Sequence, residues 1–411
     1  MLIQFNCKNF KSYKDEFSLD MTATTIKEHK ENLIISKKNE KYLKVAAIYG
    51  ANASGKSNII EAFQHMKFLV RTSFSEASKR KIIPLKRFKF DEKSKKIEST
   101  FEVFFKYKEN EYQYGFELNS EEIKEEWLYK RDFRSKEKYN LIFERTNQKF
   151  QLNEKLKSFT EILRGVTEKT LLLSFLANVL YEETKNVYNW FSETTVLNFG
   201  DSLFEIMSSR ALPNCCFDET DGNKKINNYL KAIDVGIESI RTEKIQGSED
   251  ENGKLSYKAF SRHLNVETGV IEELPLKEES SGTLKMINLY EHINKALLNG
   301  YTLFVDELDA KLHPLLTKYL VQLFHNEETN KNNAQLIFST HDTNNLVKEV
   351  FRRDQIWFVE KDENNASILY SLAEYKIKDK KIRNDASYNK DYLGGRYGAV
   401  PILKEFEIGG E

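Results

Sequence analysis

The spacing of apolar positions changes from region to region along this chain. Residues 45–49 are an unbroken apolar run, and after it Ile59, Ile60, Phe63, Met66, Phe68 and Leu69 recur at helical spacing. An unbroken run reads as a strand buried on both faces, and the repeat predicts a helix over 58–70 packed on a sheet. Two similar runs lie far downstream at 301–305 and 335–340, followed by strand-like stretches at 354–360 and 367–372. Between Phe88 and Tyr129 the period falls to two: Phe88 and Phe90, then 101–105, 112–118 and 127–129, which predict short antiparallel strands joined by charged turns. Residues 153–243 are helical in balance, with 170–180 apolar enough for a buried helix and Trp190 and Phe191 as packing residues. A polar hairpin or loop is expected at 247–253, before a strand at 255–260, with another edge starting at Gly269. A further helical pattern covers 284–298. No heptad persists over three or four turns, so a long coiled coil is not expected.

The loop between the first buried run and the first helix is Gly50-Ala51-Asn52-Ala53-Ser54-Gly55-Lys56-Ser57, a full match to the phosphate loop G-x-x-x-x-G-K-S. Its two glycines let backbone N–H groups turn toward phosphates, and the following helix adds its positive end. Lys56 reaches the β and γ phosphates, and the Ser57 hydroxyl is placed to ligate Mg²⁺. A chance Gly/Ser loop does not account for strand, loop and helix all in register. The run at 301–305 ends in Asp306-Glu307: Asp306 would hold Mg²⁺, and Glu307 would polarise the attacking water. An acidic pair after an apolar run is common, and the phosphate loop gives this one its meaning. The run at 335–340 delivers His341-Asp342 at the end where ligands collect in open parallel sheets. His341 can donate a hydrogen bond to a phosphate oxygen whether neutral or charged. The scattered positions of the other six histidines, and the spacing of Cys7, Cys215 and Cys216, do not suggest a zinc site.

Taken in order, Gly50 to Ser57, Glu279-Ser280-Ser281-Gly282-Thr283, Asp306-Glu307, Asp309 and His341 resemble the ATPase head shared by ABC proteins, SMC and RecF-type repair ATPases and the N-terminal half of OLD nucleases. Within that superfamily the chain looks most like the bacterial RloA/AbiL-type ATPases associated with phage defence. The opening Asn9-Phe10-Lys11-Ser12 is similar to the first turn of these heads, which lies near the nucleotide. The resemblance implies ATP sandwiched between two subunits, the phosphate loop of one meeting Ser281 and Gly282 of the other. The family pattern has two glycines where this chain has Ser281-Gly282, and Gln or Glu where it has Thr283. Local sequence reads the same element as a helix cap with Ser or Thr, and both readings are compatible. Asp309 is similar to the aspartate that links paired sites; a surface aspartate near a helix start would look the same. No glutamine sits in a convincing strand-end loop to contact Mg²⁺, Gln113 being the nearest.

The expectation is therefore an α/β fold of the P-loop NTPase kind: an ABC/SMC-like head with a mixed central sheet, an antiparallel β lobe and an inserted, mainly helical lid. Its parts are an N-terminal ATPase half at 1–150, a helical insert at 151–245, a C-terminal ATPase half at 246–375 and a basic, Gly- and aromatic-containing tail at 376–411. Catalysis falls to Glu307, His341 and Lys56; nucleotide binding to Gly50, Asn52, Ser54, Gly55, Lys56, Ser57, Asn58, Ser281, Gly282 and Asp309; the metal to Ser57 and Asp306. ATP and Mg²⁺ are the implied cofactors. Sixty-three basic and 63 acidic residues leave no net charge, so no global positive field marks a nucleic-acid binder, although a local stripe would suffice. Absence of a long apolar run or signal peptide and three cysteines fit a cytoplasmic chain without a membrane partner. With only a short tail after the head, a defence ATPase of this kind would act as a homodimer or larger assembly on a separate toxic effector such as a nuclease, with a phage protein, DNA or RNA as trigger. The alternative is a RecF/SMC-like DNA-binding ATPase of repair or chromosome maintenance. A transporter or translation-factor ATPase follows. A GTP switch ranks last, lacking an Asn-Lys-x-Asp element.

Overall fold

The computed structural model describes residues 1–76, 82–132, 138–178, 181–210, 212–217, 221–233, 235–249, 255–377, 380–381 and 387–401. The chain opens with β1 (Leu2–Lys8) and β2 (Phe17–Asp20), a hairpin of β3 (Leu33–Ile35) and β4 (Lys41–Leu43), then β5 (Val45–Gly50) and helix α1 (Lys56–Glu76). Strands β6 (Ser99–Tyr107), β7 (Asn110–Leu118), β8 (Ile123–Asp132), β9 (Asn140–Thr146) and β10 (Lys149–Leu152) join β1 and β2 in a seven-stranded antiparallel sheet of order β10-β9-β8-β7-β6-β1-β2. Next come α2 (Leu172–Asn178), α3 (Glu182–Glu193), β11 (Thr195–Asn198), α4 (Ser202–Arg210) and α5 (Asp221–Ala232). A three-stranded meander follows, β12 (Ser239–Glu249), β13 (Leu255–Leu264) and β14 (Ile271–Pro275). The rest comprises α6 (Ser281–Asn299), β15 (Thr302–Asp306), α7 (Pro314–His325), β16 (Gln335–Ser339), β17 (Ile356–Lys361), β18 (Ser367–Ser371), the two-residue strands β19 (Lys376–Ile377) and β20 (Lys380–Lys381), and α8 (Tyr388–Leu393).

The central sheet runs β11-β15-β16-β5-β17-β18, parallel throughout except for the β17–β18 edge. Because strand side chains alternate faces, each unbroken apolar run feeds two cores. Ala46, Ile48, Phe304, Ile337 and Trp357 face α1 and the antiparallel lobe. Val45, Ala47, Leu303, Val305, Leu336, Phe338 and Phe358 face α5, α6, α7 and α8. Phe63 of α1 stacks on Phe304 at 4.3 Å, and Phe105 of the lobe stacks on Trp190 of α3 at 4.0 Å. Among the described residues no helix is long and apolar enough to cross a membrane.

The lobe and α2 are pinned by a buried pair. Glu126 on β8 accepts from the N–H groups of Leu172 and Leu173, which begin α2, and from the Tyr114 hydroxyl. A carboxylate there satisfies orphan donors at a helix start. Arg145 lies 4.0 Å away and donates to Thr170 O and Thr167 O, and both charged side chains are fully buried.

Several local expectations change in the structure. Phe88 and Phe90 lie in irregular chain and not in a strand. Their segment is held by side-chain bonds in place of a ladder: Phe88 N donates to Asn9 Oδ1, while Asn9 Nδ2 donates to Ser94 O, Ile97 O and Glu98 O. The stretch read as a helical insert also supplies β11 to the edge of the central sheet. The helix expected over 170–180 is α2, and residues 179–180 lie outside the described residues, as does most of the loop expected at 247–253. One glycine of the tail, Gly398, acquires a reason. Tyr392 stacks on Phe358 at 5.1 Å, and the turn beyond it brings Ala399 N to Glu360 Oε2 at 2.9 Å. Gly398 makes that turn at φ +69°, where a Cβ would meet Glu360 Oε2 at 2.4 Å. Of the tail, 378–379, 382–386 and 402–411 lie outside the described residues.

Candidate functional site

Three adjacent parallel strands deliver the expected residues to one edge of the central sheet. β5 ends in the phosphate loop, β15 in Asp306-Glu307, and His341 follows β16 by two residues. This is the carboxyl-end crevice that open α/β sheets use for ligands. Gly55 turns the loop at φ +114°, and a Cβ there would meet the hydroxyls of Ser367 and Ser12 at 2.3 and 2.6 Å. Ser12 also accepts from Asn58 Nδ2 at 2.7 Å, and Lys11 pairs with Glu61 of α1. The first turn of the chain thus braces the phosphate loop. Asn9, Lys11, Ala53, Glu307 and Lys311 all hold positive φ between 50° and 63°. Left-handed non-glycine residues of this kind concentrate where surrounding structure enforces them.

Lys56 is buried, and its Nζ donates to Gly50 O and Ala51 O. Burial lowers its pKa to about 8, against the attraction of Asp306, Glu307 and Asp309. Asp306 is buried, and its Oδ1 accepts from the Ser339 hydroxyl at 2.5 Å. Burial raises its pKa, with the hydroxyls of Ser339 and Ser57 opposing. Glu307 is half-buried; burial, then Asp306 and Asp309, raise its pKa, while Lys285 and Lys56 lower it. His341 faces solvent, and its N–H donates to Asp309 Oδ2 at 3.1 Å. Desolvation of the ring and Lys56 lower its pKa against Asp309 and Asp306. Of the other histidines, His29, His263, His313 and His325 are engaged elsewhere.

The site also contains buried acceptors without partners among the described residues: Ser54 Oγ, Asn198 Oδ1, Asp306 Oδ2 and Asp309 Oδ1. Unmatched buried oxygens are costly unless something binds them. Oxygen donors gathered at strand ends beside a phosphate loop suit a hard cation such as Mg²⁺, so the residues present fit a magnesium–nucleotide complex.

Two residues at this site escaped the sequence reading. Asn198 ends β11, in register with Asp306 of β15. Gly200 lies so close that a Cβ would stand 2.8 Å from Asp306 Oδ2 and 3.4 Å from both Asn198 Oδ1 and Glu307 Oε1. Gln113, the nearest glutamine by sequence, instead donates to Glu102 within the antiparallel lobe. The available signal was weak: a Val-Leu-Asn-Phe-Gly stretch too short to be told from loop.

The Ser-Gly element is placed as a helix start. Ser280 is the N-cap of α6, its Oγ accepting from Thr283 N at 3.1 Å, and Ser281 is exposed in the first turn. Gly282 packs on the segment after Glu307, where a Cβ would meet Lys311 O at 2.6 Å. Asn52 is exposed at the tip of the phosphate loop.

Residues 45–348 match the protein family described as "AAA domain, putative AbiEii toxin, Type IV TA system". No curated protein matches the chain. Among solved structures, an SMC head bound to the C-terminal winged-helix domain of ScpA is similar at 14% identity and a TM-score of 0.40, covering 90% of this chain and 97% of that one. The recombination mediator RecF with ATPrS is similar at 13% identity and a TM-score of 0.36, covering 91% of this chain and 98% of that one.

Proposed function

The chain belongs to this AAA-domain family, and from that premise we propose that it is a dimeric ATPase of anti-phage defence, a sensor or scaffold that controls a separate toxic effector such as a nuclease. One observation carries the ATPase part: Lys56, Asp306, Glu307 and His341 meet at the ends of three adjacent strands, beside buried oxygens without partners among the described residues.

In this reading the N–H groups of residues 50–57 and the Lys56 ammonium hold the β and γ phosphates. Ser57 and Asp306, with Asn198 beside them, would hold Mg²⁺, which neutralises phosphate charge. Glu307 accepts a proton from the water that attacks the γ phosphorus, and the bond to the bridging oxygen breaks to leave ADP. Burial and the neighbouring Asp306 and Asp309 raise its pKa, which makes it a stronger base than an exposed glutamate. His341, held through its backbone by Asp309, donates to the γ phosphate. Ser281 at the start of α6 meets the γ phosphate of a second copy, so ATP closes the dimer and hydrolysis opens it.

The defence role is supported by the family's description, which names an AbiEii toxin and a type IV toxin–antitoxin system. One observation favours a second reading, a RecF-type DNA-binding ATPase. Lys86, Lys89, Lys93, Lys95 and Lys96 are exposed on the segment joined to the first turn through Lys11 N and Lys86 O, and such a patch suits phosphate backbone.

The test is a pair of variants and a capture. Lys56→Ala should abolish ATP turnover, and Glu307→Gln should abolish turnover while retaining ATP and the closed dimer. Tagged Glu307→Gln protein, recovered with ATP from cells carrying the native neighbouring genes, should retain a stoichiometric toxic protein. DNA alone on a partnerless dimer would move the reading to repair, and full turnover by purified Glu307→Gln would remove Glu307 from its role.

A further inference from the structure

Lys285 lies in the second turn of α6 among the core residues Met286, Ile287 and Leu289, and it is only 6% exposed. An ammonium in that place is expensive unless its donors are met. Nζ donates to Glu307 O at 2.7 Å and Ala310 O at 2.9 Å, and it stands 4.3 Å from the centre of the Phe199 ring. The carbonyls it binds belong to a tight segment with left-handed backbone at both ends, Glu307 at φ 52° and Lys311 at φ 63°. Ser339 grips the same segment, its Oγ accepting from Glu307 N at 2.8 Å and its carbonyl from Leu308 N at 3.1 Å. One turn earlier on α6, Gly282 rests directly against Lys311 O, and Lys311 pairs with Glu205 of α4.

We propose that Lys285 is a positioning residue for ATP hydrolysis, fixing the backbone of Glu307 and binding the first turn of α6 to that base. The proposal rests on Glu307 being the base, as argued above. Its consequence is a coupling between the two sites of a dimer. A second copy's γ phosphate drawn against Ser281 shifts the first turn of α6, and the contacts of Gly282 and Lys285 pass the shift to the Glu307 backbone. Each base then responds to the partner's nucleotide. An apolar side chain would fill the core position equally well, but it would leave Glu307 O without its lysine donor and let the strained segment relax.

The experiment compares wild type, Lys285→Met and Lys285→Arg by steady-state hydrolysis, affinity for a fluorescent ATP analogue and thermal unfolding. Methionine keeps the volume and removes the donors. Its kcat should fall on the order of 100-fold with KM and analogue affinity within about 3-fold, and arginine should recover a large part of the loss. A merely structural lysine predicts the reverse, a lowered melting temperature and weakened binding with kcat per folded molecule unchanged, and that result would overturn the proposal. Should Lys285→Met not fold, Lys285→Gln, which keeps a polar tip but shortens its reach toward Glu307 O, carries the same readout. Failure of the wild type to hydrolyse ATP would instead sink the proposed function, whereas wild-type turnover by Lys285→Met would sink only the positioning role.

Discussion

Gly200→Ala probes the space beside the acidic pair with a single carbon. The new Cβ would lie 2.8 Å from Asp306 Oδ2, and moving it to the 3.4 Å that separates it from Asn198 Oδ1 and Glu307 Oε1 needs a shift of about 0.6 Å, the difference of the two distances. Gly200 does not adopt positive φ, so its backbone accepts alanine and the strain falls on the carboxylate. Asp306 yields poorly, because Ser339 holds its other oxygen at 2.5 Å and the residue is buried. Overpacking of this size costs about 1–3 kcal/mol of stability. Catalysis is the more sensitive reporter, since a displacement approaching 1 Å at the reacting centre lowers rates on the order of 10- to 100-fold. Steady-state hydrolysis against Mg²⁺ concentration, with a parallel melting curve, should show reduced kcat and a raised Mg²⁺ requirement in a protein that remains folded. A folded Gly200→Ala variant with kcat within about 2-fold of wild type would refute the reasoning that this space belongs to the metal and the attacking water.

Three further outcomes follow from buried titratable groups. Lys56 must be cationic to meet phosphate and its pKa is lowered to about 8, so kcat/KM should decline as pH rises through that value; on the acid side the raised pKa of Glu307 moves the loss of activity above the usual glutamate range. A kcat/KM profile that stays flat past pH 9 would contradict this placement of Lys56. His325 is buried neutral, burial lowering its pKa from 6.5 to about 3, so the unfolded chain takes up its proton first as pH falls. Its contribution to stability is complete above about 6.5 and diminishes by about 1.4 kcal/mol per pH unit down toward 3. Urea unfolding of His325→Gln should show a shallower loss of stability between pH 7 and 5 than wild type. Glu126→Ala leaves Arg145 and the first N–H groups of α2 without their buried partner; a loss of about 3–5 kcal/mol in denaturant unfolding is expected.

Much of this protein was determined by sequence alone because its signals are local. The strand, loop and helix around Gly50 to Ser57 need only a few consecutive residues, and the apolar runs ending at Asp306 and before His341 carry their own burial pattern. The Ser280 cap is likewise written in adjacent residues. Tertiary structure decided what depends on pairing across the chain. Asn198 reaches the site only because β11 lies parallel to β15, more than 100 residues away in sequence. Gly200 matters only because Asp306 stands against it, and Lys285 reads as one more polar residue of an amphipathic helix until Glu307 O is found at its tip. Phe88 and Phe90 show the converse: their alternation favours a strand, but the side chain of Asn9, a distant residue, takes the backbone bonds a ladder would have used. Local propensity writes elements and motifs; close approach, shared burial and the matching of polar groups between remote segments are properties of the folded chain.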